Sequence, residues 1–152
     1  TTPRDIEAAA YLLAKGANLS VVANFMEMSF SSEQRQLFQD LLRNTRHYMV
    51  KNTEIIISHT RSQEFTQGLD ALTHQLLEVE NVEVVFVVAQ MQGKTYVVGR
   101  SRSNNINVNE VLHKLSGRGH TKAASATVKG LEMEKIIEKN SEKIARLIIA
   151  PG

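Results

Sequence analysis

The stretch Lys94-Thr95-Tyr96-Val97-Val98-Gly99-Arg100-Ser101-Arg102-Ser103 is the part of this chain best equipped for chemistry. In a strand, alternate side chains share a face, which puts Lys94, Tyr96, Val98, Arg100 and Arg102 on one side. Guanidiniums are forked donors that match phosphate oxygens, and an aromatic ring beside them suits a stacked base. Arginines two apart on a surface strand also occur as plain solvated charge. A second stretch is Ser116-Gly117-Arg118-Gly119-His120-Thr121-Lys122. Its two glycines let the backbone approach a ligand and aim amides at it, and Arg118, His120 and Lys122 add donors. An isolated Gly-x-Gly also serves as an ordinary helix stop and turn. Ala123, Ala124, Ser125 and Ala126 follow, small residues of the kind found where a backbone lies tightly beside a site. His59 and the methionines read as structural.

Charge supports the same region. The chain has 152 residues and a formal net charge of +2. Residues 64–90 carry five acids and no Lys or Arg, whereas residues 91–130 carry seven Lys/Arg and one acid, Glu110. Such a block is either an anion-binding face or a solvated basic surface.

Around these stretches the sequence predicts a scaffold. Thr2 caps a first helix, with Pro3 at its first position and Asp5 near its positive end. Its apolar side is Ile6, Ala9, Ala10, Leu12 and Leu13, and Gly16 ends it. Ser20 is expected to cap a second helix that buries Val21, Val22, Phe25 and Met26. Ser31-Ser32-Glu33-Gln34 is a capping-box pattern, opening a third helix with Leu37, Phe38, Leu41 and Leu42 on one face. The period then changes to a hairpin of residues 47–50 and 54–59. A helix over 68–80 follows, then a strand over 82–91 apolar enough to be buried on both faces. Gln92-Gly93 turns it into the strand 94–102. Asn107 caps a short helix, 124–129 forms the last strand, and 132–149 a closing helix. The sum is an α+β domain: a helical lead-in, then helices packed on a five-stranded mixed sheet.

Much chemistry is excluded. There is no Cys, hence no disulfide framework, thiol nucleophile or thiolate zinc site, which fits a reducing, cytoplasmic compartment. No apolar run reaches the roughly 20 residues that span a bilayer, so no membrane is expected as a partner. The start is neither a signal nor a transit peptide, and without an initiator Met it reads as cut from something longer. The five His are scattered, none next to an Asp or Glu, and no phosphate-binding P-loop or nucleophile elbow occurs. By itself the chain reads as non-catalytic.

At residues 100–130 the pattern resembles a known family. Arg100-Ser101-Arg102-Ser103, then Asn107-Val108-Asn109-Glu110, then Gly117-Arg118-Gly119-His120-Thr121-Lys122-Ala123-Ala124 resemble the DHH-associated domain of DHH-family phosphoesterases. That family has an Arg-Ser pair, a short helix, a Gly-Gly-Gly-His loop and an Ala-Ala strand. Here Ser116 and Arg118 stand where the family has glycine. Residues 1–25 resemble the family's connection between its two domains, and the strand near Ala124 resembles the version in bacterial multidomain tRNA nucleotidyltransferase/poly(A) polymerase-like proteins. The resemblance implies a helical connector over 1–30, leading from a missing catalytic domain, and a substrate-binding domain over 31–150. It implies a site of Arg102, Ser103, Gly117, Gly119, His120 and Lys122, which Arg100 and Arg118 join from the reading of the two basic stretches. These would hold the phosphates of a short single-stranded RNA or a nucleotide. The implied partner is an N-terminal DHH catalytic domain of the same polypeptide. That domain would carry manganese or magnesium, with no cofactor on this part. The other reading is a structural or regulatory module that dimerises, or meets an acidic partner through its basic face.

Overall fold

Ser31 and Gln34 show how local sequence starts the structure. The Ser31 hydroxyl accepts the Gln34 N–H at 3.1 Å, and the Gln34 side chain accepts the Ser31 N–H at 2.9 Å. This reciprocal cap satisfies two N–H donors and fixes where the helix begins. The computed structural model describes residues 3–14, 19–50, 52–113 and 118–128. They form α1 (Pro3–Ala14), α2 (Leu19–Glu27), α3 (Ser32–Arg43), β1 (Arg46–Val50) and β2 (Thr53–Ser62). There follow α4 (Leu69–Glu80), β3 (Val84–Met91), β4 (Lys94–Ser101), α5 (Val108–His113), β5 (Arg118–Gly119) and β6 (Ala123–Val128). Gly117 and the expected closing helix over 132–149 lie outside the described residues.

The strands make one mixed sheet in the order β1-β2-β3-β4-β6-β5. β2 and β3 are parallel, joined through α4, and every other pair is antiparallel. The sheet has six strands rather than the expected five. The addition is β5, two residues long, which no periodicity can announce. It exists because the chain folds back on β6, pairing Arg118 with Ser125 and Gly119 with Ala124.

Each face of the sheet carries its own core. Ile56, Val85, Val87, Ala89 and Val98 meet α3 and α4 through Phe38, Leu41, Leu42, Leu72 and Leu76. Ile55, Ile57, Val84, Phe86, Val88 and Val97 lie on the other face, with Val108 and Leu112 of α5. β3 is therefore buried on both sides, as its unbroken apolar run requires. Gln92 and Gly93, with φ of 52° and 72°, make the tight turn that sends β4 back along it.

The lead-in departs from expectation. Leu12 is buried and Ala9 partly so, but Ile6, Ala10 and Leu13 point outward. α1 touches α2 on a narrow front, so one stripe suffices and the rest of the apolar side stays exposed. α2 begins at Leu19, which places Ser20 inside its first turn rather than at its cap. No described helix is long and apolar enough to cross a membrane.

Candidate anion-binding site

The site is assembled where β4, β6 and α4 meet. Directly opposed residues of an antiparallel pair share a face. Arg100 opposes Ala123, Val98 opposes Ser125, Tyr96 opposes Thr127, and Ser125 opposes Arg118. Arg100, Arg118, Ser125, Thr127 and Tyr96 therefore share the face on which α4 lies. α4 covers β3 and β4, while Ser125, Thr127 and Arg118 are exposed. The result is a polar shelf with Arg100 at its inner wall and Arg118 on the rim, two strands away and offset along the sheet.

Arg100 is partly buried against α4, its Nη1 3.5 Å from His74 Nδ1. A guanidinium only donates, so Nδ1 is the acceptor in that contact, and the ring's other nitrogen is Nε2. That nitrogen lies 3.8 Å from Glu78 Oε1. Arg100 Nε is buried and has no acceptor among the described residues. Arg102 lies just past the strand, whose last residue is Ser101. Its N–H donates to the Glu83 carbonyl at 2.7 Å, and its Nη2 stands 3.1 Å from Glu78 Oε1.

The glycine loop is a hairpin whose turn is Thr121 and Lys122. His120 N donates to the Ala123 carbonyl at 2.7 Å, and Ala123 N returns to the His120 carbonyl at 3.3 Å. Gly119, with φ of 155°, lies against Ala123 and Ala124 with no room for a side chain. The tip is moored on both sides. The Ser101 N–H donates to the Lys122 carbonyl at 2.9 Å, and the Val108 N–H to the Thr121 carbonyl at 3.2 Å. Lys122 Nζ donates to the Ser103 carbonyl at 2.8 Å and to Asn104 Oδ1 at 3.2 Å. Asn107 caps α5 through the amides of Asn109 and Glu110, at 3.0 and 3.2 Å, holding the far side of the turn.

Arg100 and Arg102 both reach α4 at one end of β4, while Lys122 is tied to Ser103 and Asn104 in the bend that follows, and His120 is exposed on the hairpin. Ser103 is buried, and its hydroxyl accepts the Asn105 N–H at 3.0 Å. Ser101 Oγ donates within the same turn, to the Ile106 carbonyl at 3.0 Å, and accepts the Ser103 N–H at 3.0 Å. The two serines shape the bend that follows Arg102. Arg118 stands apart on the rim.

Three neighbours escaped sequence reasoning. His74 and Glu78 are four apart on α4, a spacing that marks a shared helix face. Phe65 pairs with Tyr96, ring centroids 5.6 Å apart, across a distance in sequence that gives no signal. His47 likewise meets an acid in space, its Nδ1 2.9 Å from Glu54 Oε1 across the first hairpin. The described residues include no group of three His, Asp or Glu placed to hold a metal ion.

Comparison with known proteins places this architecture. The chain is 30% identical over 148 residues to an A-adding tRNA nucleotidyltransferase of Geobacter sulfurreducens, covering 97% of this chain. It is 28% identical over 138 residues, 91% of the chain, to the enzyme of that name from Aquifex aeolicus. The chain spans 17% of the length of each. Among solved structures, an exopolyphosphatase-related protein from Bacteroides fragilis shares the fold, with TM-score 0.58 and 16% identity. That match covers 89% of this chain and 41% of the other. The family pattern of the DHHA1 domain matches residues 52–146, from β2 through the two stretches that build the shelf and its hairpin, and the chain belongs to that family.

Proposed function

We propose that this domain holds the phosphates of a short single-stranded RNA, or of a nucleotide, for a DHH-type phosphoesterase module elsewhere in the parent polypeptide. The observation that supports the reading is Arg100 and Arg102 side by side against α4 at one end of β4, beside an open polar shelf, with Lys122 on the adjoining hairpin. Guanidiniums supply paired N–H donors to phosphate oxygens, and Lys122 a compact charge. His120, exposed on the hairpin, would add one further hydrogen-bond donor, and Tyr96 a ring for a base. The names of the curated relatives favour RNA as the ligand and a nucleotidyltransferase as the parent. The manganese or magnesium of the reaction would belong to the DHH module, and a chain without Cys suits the cytoplasm.

The test is a fluorescence-anisotropy titration of a labelled short single-stranded RNA at two salt concentrations. Binding is expected to weaken with salt, by about 0.7 counterions per neutralised phosphate. Arg102→Ala is expected to weaken it further. An Arg102 variant that binds as tightly as the parent removes that residue from the site, and no binding at low salt overturns the reading for this chain.

A further inference from the structure

The acid-only segment 64–90 and the base-rich segment 91–130 do not stay apart in the fold. α4 comes from the first and β4 from the second, and α4 lies across β4. The pairings between them are specific. Glu78 Oε1 is 3.1 Å from Arg102 Nη2, and the same nitrogen is 3.4 Å from the Leu77 carbonyl. Glu78 Oε1 is also 3.8 Å from His74 Nε2, whose other ring nitrogen faces Arg100 at 3.5 Å. One stretch of α4 thus engages both guanidiniums of the proposed site, and Glu78 is the carboxylate within it.

Arg102 and Glu78 are each about two-fifths exposed. An ion pair open to water to that degree is weak, and a better anion displaces it. A phosphate that takes the Arg102 fork with two oxygens needs the nitrogen that Glu78 now occupies. Building on the phosphate-binding reading, we propose that Glu78 is an internal competitor. It holds the Arg102 side chain in place and sets a threshold that a ligand must exceed. The threshold bears on ligand class. An acidic peptide brings only carboxylates, chemically equal to Glu78, so exchange gains it little. A phosphate ester presents a fork-matched group of oxygens and displaces the carboxylate.

The experiment titrates a labelled oligoadenylate RNA at low salt against the parent, Glu78→Gln, Arg102→Ala and the double variant. Glu78→Gln keeps the shape of a half-exposed side chain, and a thermal melt checks that the fold is retained. Expected is a gain in affinity of about two- to fivefold for Glu78→Gln, the range of such an ion pair. In the Arg102→Ala background the gain is expected to vanish. Unchanged or weaker binding by Glu78→Gln overturns the proposal. So does an equal gain in both backgrounds, which would mean general repulsion of the RNA by Glu78. If Arg102→Ala binds poorly while Glu78→Gln changes nothing, the competitor falls and the phosphate reading stands. If Arg102→Ala binds as the parent does, Arg102 leaves the site and the competitor falls with it; no binding by the parent at low salt overturns the phosphate reading itself.

Discussion

A methyl group on Gly119 would stand 2.7 Å from the Ala124 Cβ, and closer still to the Ala124 Cα and the Ala123 carbonyl. The two residues oppose each other in the β5–β6 pair, so the hairpin that carries His120 and Lys122 closes only around a glycine. The backbone at Gly119, with φ of 155°, is also one that other residues rarely adopt. Gly119→Ala is therefore expected to cost about 1–3 kcal/mol and to lower RNA affinity by shifting the hairpin tip. Thermal melting and the anisotropy titration check the two effects. An unchanged melting temperature would show that β5 parts from β6 at little cost.

Lys122 tests whether the hairpin contributes charge or only shape. Its ammonium is bonded to the Ser103 carbonyl and Asn104, yet it is exposed and has a third donor. Lys122→Ala is expected to make RNA binding less steeply salt-dependent, by about 0.7 for each phosphate left without its counter-charge. A fall in affinity with the salt dependence intact would assign Lys122 a structural role instead.

His59 sets a pH dependence of stability. Partial burial holds its imidazole below its ordinary pKa of 6.5, and the nearby charges of Arg46 and Arg61 add to the effect. The folded state therefore takes up a proton less readily than the unfolded one. Stability is full above the unfolded value and is lost as pH falls from about 6.5 toward the lower folded value. The melting temperature is expected to drop across this window, and His59→Gln to flatten that drop. An identical pH profile for the variant would exclude His59 as the cause.

Ser58 ties the sheet to α3. Its buried hydroxyl donates to the Leu41 carbonyl at 2.5 Å. Ser58→Ala leaves that carbonyl without this donor and opens a small gap, at an expected cost of about 1–2 kcal/mol. Urea unfolding measures it. RNA affinity is expected to remain at the parent level, since Ser58 lies on β2, away from the end of β4.

The sequence by itself determined what neighbours in the chain decide. The capping box at Ser31 and Gln34, the Gln92-Gly93 turn, the doubly buried β3 and the Asn107 cap are all short-range. Each rests on hydrogen bonds or alternation within a few residues, so residue types and spacing suffice. The basic character of the β4 end was legible for the same reason, as was the family through its Arg-Ser and Gly-His patterns. The tertiary structure alone decided which surfaces meet. It turned Ile6 and Leu13 outward because α1 needed one narrow stripe, and it made β5 from two residues by folding them onto β6. It also set Glu78 against Arg102, far along the sequence, because α4 must cover the apolar face of β3 and β4. Burial of that face is a cooperative demand of the whole sheet, and no local pattern records which helix residue it brings to which strand end.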